Sequence, residues 1–394
     1  IFTHSSQSTT TSKVPLSYLE QFESPYLLAQ DLKDMDKRYL YVETSRGCPY
    51  QCSYCFASLD HRIRFLSLDY LFKLFAQLST TPVKQVKFLD RTFNANKERS
   101  IAIANKLLTM PETMSFQFEI MADTLSEELL AIICNNPIKT RFRFEVGIQS
   151  FNKKTLEAVG RYQNLDKRST NIKRLRQHQT IIHADLIAGL PYEDLSSFKS
   201  TYLQLFDLKV NEMQVGILKL LKGSRIAYQE EYQIIAASEP PYQIISNPWM
   251  SKAAIVAVEH VALATEKLWN RNRCKATLWY LYSQGINMFD FMQTCGQQIA
   301  ALPQPYQSKE LFEIVLHQLT TEEQINLFLY DYYKNFKQRP KRITEDKLTK
   351  KEKGTLFQVL VQEGLFTDCD LHYSMIDKCY YHQQNCYQIL MYTQ

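Results

Sequence analysis

Cys48, Cys52 and Cys55 lie within eight residues of one another. Thiolates are the usual protein ligands of iron–sulfur clusters. Three thiolates at this spacing can hold one cuboidal 4Fe–4S cluster in a loop, which leaves the fourth iron open for chemistry, as in catalytic rather than structural metal sites. A structural zinc needs four ligands, usually as two separated pairs, and no second pair lies nearby. We therefore favour a cluster over a zinc site or three unrelated thiols.

The composition is that of an ordinary globular protein of 394 residues, 45% hydrophobic and 22% charged, with a formal net charge of +5. Nine cysteines in a chain of this length do not resemble a secreted disulfide scaffold. The sequence shows no signal peptide and no apolar stretch long enough for a membrane span. We therefore expect a cytoplasmic location and no membrane partner. The first residue, Ile1, is not a methionine, so a fragment of a longer protein is one of the expectations.

The elements that must position the cysteines alternate between β-rich runs and helical patterns from about residue 39 to 220. Six such units predict parallel strands joined by right-handed crossovers, two short of a complete eight-stranded barrel. We predict an α/β fold with a partial, open six-stranded (β/α)6 TIM-like barrel. The expected strands are 39–43, 83–89, 114–120, 141–148, 181–187 and 212–218, and the expected helices between them are 67–78, 98–108, 125–134, 165–178 and 195–208.

Three parts are expected along the chain: an N-terminal linker or extension at 1–37, the barrel core at 38–235, and a mostly α-helical C-terminal domain at 236–394. Thr124 and Glu127 have the spacing of a capping box that would open the third helix. The clearest helical patterns of the last part are 253–269, 311–318 and 321–336.

Ligands bind at the carboxyl ends of the strands in parallel sheets, and polar candidates fall there. Asp90 follows the second expected strand, Glu119 lies late in the third, and Gln149 and Ser150 follow the fourth. Glu145 is set aside, because neighbouring strand residues point to opposite faces.

The CxxxCxxC spacing, with the aromatic Tyr54 just before the last cysteine, resembles the radical S-adenosylmethionine (SAM) superfamily. The resemblance implies that SAM chelates the open iron through its amino and carboxylate groups. It also implies that one electron from the cluster cleaves SAM to methionine and a 5′-deoxyadenosyl radical. The protein would then supply binding, orientation and exclusion of water.

Further segments resemble the Gly-x-Gln-Ser and Asp-x-Ile-x-Gly-x-Pro-x-Glu signatures of one branch, which includes coproporphyrinogen dehydrogenases, methylthiotransferases and cobalamin-dependent enzymes. Asp90 stands where the superfamily has a Gly-Gly-Glu-like motif for the SAM amino group, and both glycines are missing. The carboxylate of SAM suits an arginine, and its ribose hydroxyls suit acids and amides. The resemblance thus implies the metal ligands Cys48, Cys52 and Cys55 and the cofactor-binding residues Tyr54, Phe56, Asp90, Glu119, Gln149, Ser150, Arg161 and Asp185.

Segments 43–49, 90–94 and 218–224 are similar to a group of bacterial cobalamin-binding-type radical SAM proteins with an uncharacterised helical C-terminal domain. Such proteins usually begin with a Rossmann-like cobalamin domain. Only about 37 residues precede the first expected strand here, so we expect either that this domain has been lost or that the sequence is a fragment. Cobalamin is therefore implied by this resemblance alone.

The sequence predicts a radical SAM enzyme that acts on a small molecule or peptide, by methyl transfer or cyclisation, with an electron donor such as flavodoxin or ferredoxin. An RNA-modifying enzyme of methylthiotransferase style is an alternative, but nucleic acid is a less favoured partner because no RNA-binding module is recognisable. The third hypothesis is a non-catalytic fragment that binds the cluster. Cys369, Cys379 and Cys386 have spacings that favour buried or surface thiols over an auxiliary cluster.

Overall fold

The computed structural model describes residues 15–336 apart from 23 and 29–31, the positions 351, 355 and 358, and two strands near the end of the chain. A single parallel sheet of six strands forms its centre. Strand β1 is followed by the short antiparallel pair β2–β3, and then by the other five sheet strands. The bounds are β1 (Leu40–Val42), β2 (Ser45–Arg46), β3 (Arg64–Phe65), β4 (Gln85–Phe88), β5 (Ser115–Ile120), β6 (Phe142–Gln149), β7 (Ile181–Ala188) and β8 (Glu212–Ile217).

The sheet has the order β1-β4-β5-β6-β7-β8, and every neighbouring pair is parallel. Sequential strands are neighbours because a helix returns the chain after each one, as right-handed crossovers require. These helices are α1 (Leu68–Leu78), α2 (Lys97–Leu108), α3 (Glu127–Cys134), α4 (Lys153–Ala158), α5 (Leu165–Gln177) and α6 (Leu195–Asp207). The prediction of an open six-stranded α/β barrel is confirmed.

The two faces of the sheet differ in chemistry. In β5 and β6 the apolar residues, such as Phe118 and Phe144, are buried on the face that the helices cover. The alternate residues, among them Glu119 and Glu145, face the inside of the open barrel and are polar. Because side chains alternate along a strand, this pattern gives a dry outer core and a polar lumen.

The C-terminal part continues in helices, as predicted. They are α7 (Lys252–Ala264), which runs on as a π-helix over Thr265–Asn270, α8 (Lys275–Ser283), α9 (Met288–Ala300), α10 (Ser308–Leu316) and α11 (Glu322–Asn335). Two of these, α8 and α9, and the short strand pair β9 (Ile235–Ala236) and β10 (Ile244–Ser246) are additions to the predicted elements. The packing of α7 and α9 is close: a Cβ on Gly296 would lie 1.8 Å from the carbonyl oxygen of His260.

Two details differ from the sequence prediction. Helix α3 begins at Glu127 with Ser126 as its N-cap, whose hydroxyl accepts from the amide of Leu129. The predicted capping box at Thr124 is therefore wrong, since Thr124 lies in a preceding 3-10 turn and its hydroxyl donates to the carbonyl of Met121.

The end of the chain holds an antiparallel strand pair, β11 (Met375–Tyr381) and β12 (Cys386–Tyr392), where no strand was predicted. Cys379 and Cys386 lie on these strands, and Cys369 lies outside the described residues. In the part of the chain that the structure describes, no helix has the length and apolar character needed to cross a bilayer.

Candidate functional site

A cavity of about 230 Å³ opens at the carboxyl ends of the sheet strands. It collects eight of the eleven residues predicted to bind the cluster or SAM. These are Cys48, Tyr54, Cys52, Cys55, Glu119, Gln149, Arg161 and Asp185. The remaining three, Phe56, Asp90 and Ser150, do not line it.

The three cysteines come from a loop that the β2–β3 pair closes at its base. The amide of Cys48 donates to the carbonyl of Asp60 at 3.0 Å, which fixes the entry to the loop. Gly47 has φ 103°, and a Cβ there would lie 2.5 Å from the carbonyl oxygen of Arg62. Only glycine suits this backbone, because other residues rarely adopt a positive φ and would collide with the opposite strand.

Asp90 anchors the start of this loop. Its buried carboxylate accepts from the amide of Thr44 at 3.2 Å, from the hydroxyl of Thr44 at 2.8 Å, and from the hydroxyl of Ser45. Burial raises the pKa of Asp90, while these hydrogen bonds oppose the rise. The contacts therefore tie the end of β4 to the residues that lead into the cysteines.

Ser150 and Phe56 do not line the cavity. Ser150 is fully buried, and its hydroxyl donates to Glu193 at 2.6 Å. Phe56 follows the last cysteine in a 3-10 helix and has 46% of its surface exposed. Both side chains are thus placed without direct access to the cavity.

Arg161 brings a cation to the cysteines. Its Nη1 lies 3.4 Å from Sγ of Cys52, and its Nη2 contacts Sδ of Met121 and the carbonyl of Gly147. Burial lowers the pKa of Arg161, but Tyr54 and Cys52 raise it by more, so the guanidinium stays charged. A buried cation of this kind stabilises thiolate sulfur.

Gln149 closes strand β6 in an unusual conformation, with φ 65° where the register with β7 shifts. Its Oε1 is buried and has no hydrogen-bond partner in the structure. A Cβ on Gly147 would lie 2.6 Å from Nε2 of Gln149 and 2.9 Å from Arg161. The missing side chain at Gly147 therefore makes room for both polar groups at the cavity wall.

The far wall of the cavity is acidic. Glu119 and Glu145 are paired in register on β5 and β6, and both line the cavity, beside Asp185. Burial raises the pKa of Glu119 to about 7, although Arg91 opposes the rise. This wall offers hydrogen-bond acceptors for amino and hydroxyl groups.

His183 lies between Asp185, one of these acids, and Glu212. Its Nε2 lies 3.1 Å from Asp185 and its Nδ1 lies 3.3 Å from Glu212. Burial would lower the pKa of His183, but the two carboxylates raise it to about 10. The imidazole thus lies at ion-pair distance from both carboxylates, which favour its charged form, although its Nε2 makes no hydrogen bond of good geometry.

Glu145 is the cavity residue that sequence reasoning wrongly set aside. Its position two residues before Gly147 puts both on one face of β6, and this alternation was visible in the sequence. Arg91, Thr92 and Met121 also line the cavity, from the loops after β4 and β5. Arg91 and Thr92 lie in the 90–94 segment that the resemblance drew on, but neither was named as a site residue, and Met121 carried no sequence signal.

The donor set suits a cluster better than a single ion. Among the described residues, no three His, Cys, Asp or Glu side chains converge closely enough to hold one metal ion. In a cuboidal cluster each thiolate binds a different iron, so three cysteines around one cavity satisfy it without such convergence. The cation of Arg161 and the unpartnered Oε1 of Gln149 add one charge partner and one acceptor for a polar ligand beside it.

Two known families match the chain. Residues 42–205 match the radical SAM superfamily, and residues 230–392 match DUF4080, a protein family of unknown function. Among curated proteins, an uncharacterised methyltransferase of Pyrococcus horikoshii is 24% identical over 54% of this chain and 48% of its own length. The ribosomal protein uS12 methylthiotransferase RimO of Petrotoga mobilis is 24% identical over 45% of this chain and 42% of its own. The chain thus spans less than half the length of these relatives.

Solved structures of radical SAM enzymes also align with this chain, at low sequence identity. The cobalamin-dependent SAM radical enzyme OxsB aligns with a TM-score of 0.48 and 16% identity over 89% of this chain and 53% of its own. The radical SAM methyltransferase TsrM of Kitasatospora setae aligns with a TM-score of 0.44 and 14% identity over 49% of this chain and 38% of its own.

Proposed function

We propose that this chain, whose residues 42–205 belong to the radical SAM superfamily, cleaves SAM reductively at a 4Fe–4S cluster held by Cys48, Cys52 and Cys55. When bound, the cluster supplies one electron to SAM, which breaks the sulfur–C5′ bond and yields methionine and a 5′-deoxyadenosyl radical. The observation that carries the proposal is one cavity that joins three loop thiols, a buried guanidinium and a polar strand-end wall.

The residues of the chain divide the binding work by chemistry. Arg161, already at Cys52, supplies positive charge beside the thiolates and for the SAM carboxylate. Glu119, Glu145 and Asp185 supply acceptors for amino and hydroxyl groups, and His183 lies at ion-pair distance from Asp185. The cavity lies between the cysteine loop and the strand ends, which limits the access of water to a reactive radical.

Cobalamin has no part in this proposal. We further propose a small reducing protein, such as flavodoxin or ferredoxin, as the electron donor and the cytoplasm as the location.

The test is anaerobic reconstitution with iron and sulfide, followed by an assay for 5′-deoxyadenosine with dithionite and SAM. We expect wild-type protein to form deoxyadenosine and Cys52→Ala to lose it by at least a hundredfold, because one iron then lacks its thiolate. Cys134→Ala is the matched control, since Cys134 is a buried thiol at the end of α3 that does not line the cavity.

Full iron loading without deoxyadenosine in the wild-type protein would contradict the proposal. Equal deoxyadenosine from wild-type and Cys52→Ala protein would contradict it as well, because the product would then not depend on the cysteine loop.

A further inference from the structure

A second cavity, of about 530 Å³, adjoins the first one. The two share Tyr54, Gln149 and Asp185 as lining residues. The other walls of the second cavity come from β7, β8 and the segment after β8, and from Gln243 and Glu259 in the C-terminal part. A molecule in the second cavity therefore lies next to a molecule in the first, as a reaction between them requires.

The shared wall contains polar atoms that lack partners. The hydroxyl of Tyr54 and the Oε1 of Gln149 are both buried without a hydrogen bond. A buried polar group left unsatisfied costs about 1–3 kcal/mol. Ligands in the two cavities can supply the missing partners, so this wall has the character of a binding surface on both sides.

The lining of the second cavity includes both a cation, Lys219, and a carboxylate, Glu259. Lys219 and Gln243 face each other in an antiparallel bridge, so their side chains point to the same side. The Nε2 of Gln243 donates to the Oε1 of Glu259 at 2.5 Å. Gln243 is thus paired with Lys219 along the backbone and hydrogen-bonded to Glu259 through its side chain.

These two charges do not neutralise each other. Within the described parts of the chain, no carboxylate lies at ion-pair distance from Nζ of Lys219, and no cation lies at that distance from Glu259. Each charge is therefore available to a ligand group of opposite sign. A ligand that satisfies both carries an anionic and a cationic group.

We propose that the second cavity binds a free α-amino acid, as the substrate of the reaction proposed above. Lys219 binds its carboxylate and Glu259 binds its ammonium group, both through charge-assisted hydrogen bonds. The side chain then extends along Val215 and Ala262 toward Tyr54 and the first cavity. This inference rests on the proposed function for the reaction, and on the second cavity alone for the binding.

The experiment is equilibrium dialysis of the reconstituted protein with SAM against a mixture of the twenty proteinogenic L-amino acids, with quantification by mass spectrometry. Parallel dialyses use the N-acetyl and the α-amide derivatives of the same twenty. We expect wild-type protein to retain one or a few free amino acids at least tenfold above either derivative, since each derivative removes one ligand charge.

Two variants test the roles of Lys219 and Glu259 one at a time. Lys219→Met should weaken retention at least tenfold and abolish the preference over the α-amide, and Glu259→Gln should do the same for the N-acetyl derivative. Lys222→Met is the matched control, because Lys222 lies above the ring of Tyr242 and does not line the cavity. Its retention should equal that of the wild-type protein.

Retention of no amino acid, equal retention of the derivatives, or unchanged retention in Lys219→Met and Glu259→Gln would each overturn the inference. Deoxyadenosine formation without added amino acid is measured on the same samples. If it persists while retention fails, this inference alone falls. If deoxyadenosine never forms, the proposed function falls, while retention still reports on the second cavity.

Discussion

At the scale of single residues, buried charges in this barrel fall into two kinds. Arg161 is buried but has sulfur and carbonyl partners, and it faces the cavity. Glu193 is fully buried behind Ser150 and faces no cavity described above. The first is placed to meet a ligand, whereas the second affects the stability of the fold.

Glu193 makes the stability depend on pH. Its Oε1 accepts from Ser150 at 2.6 Å and from Thr201 at 2.9 Å, while its Oε2 has no partner. Burial raises the pKa of Glu193 from 4.5 to about 7. The folded protein therefore binds an extra proton in this interval, and the free energy of unfolding falls as the pH rises from about 4.5 to about 7.

We expect Glu193→Gln to remove this loss. Relative to wild-type protein, the free energy of unfolding of the variant should rise by roughly 3 kcal/mol at most between pH 5 and pH 8. Urea unfolding at each pH measures this difference. The exposed Glu239→Gln should show no such change. A difference between Glu193→Gln and wild type that stays constant with pH would exclude ionisation of Glu193 as the cause.

At the scale of elements, the cysteine loop depends on contacts with the sheet. Asp90 at the end of β4 receives three hydrogen bonds from Thr44 and Ser45. The sequence pointed to Asp90 through its position after a strand, and the resemblance implied a SAM contact. The structure shows contacts with the chain itself, and these could not be read from the sequence because the partners lie more than forty residues apart.

We expect Asp90→Ala to weaken the attachment of the cysteine loop to the end of β4. The free energy lost should be about 1–3 kcal/mol, because three buried donors are left without an acceptor. The protein should then retain less iron after reconstitution, measured per chain after gel filtration. Thr44→Val removes the same contact from the loop side and should lower iron retention in the same direction. Normal iron retention in Asp90→Ala, with SAM binding alone weakened, would instead support the direct SAM contact.

The elements themselves were largely readable from the sequence. Apolar and polar residues alternate in β5 and β6, and this alternation indicates strands. The same alternation predicts that Glu145 faces the inside of the barrel. Helices α8 and α9 were not predicted, although α9 has a clear amphipathic pattern that was readable in the sequence. The N-cap of α3 was misplaced by two residues, since Thr124 and Ser126 are both good capping residues.

At the scale of the whole molecule, the C-terminal helices are joined to the barrel through α7, which contributes Glu259 and Ala262 to the second cavity. Helix α9 packs on α7 at Gly296, where the backbone of His260 leaves no space for a side chain. This arrangement was beyond the sequence, because it depends on segments that are distant along the chain.

We expect Gly296→Ala to force α7 and α9 apart and to destabilise the protein by about 3 kcal/mol. The added methyl group would meet backbone, which cannot rotate away as a side chain can. Thermal unfolding measures the effect, with Gln297→Ala on the exposed side of the same helix as the control. Equal melting temperatures for the two variants would show that the helices tolerate a wider spacing.

The shared wall at Tyr54, Gln149 and Asp185 also bears on how such a protein can evolve. The segment that supplies the reactive centre and the segment that supplies Gln243 and Glu259 occupy separate stretches of the gene. Under the proposed function, mutations in the later stretch change the preferred substrate while the earlier stretch, with the residues proposed to hold the cluster, is inherited intact. New specificities can therefore arise by drift or recombination of the C-terminal part alone.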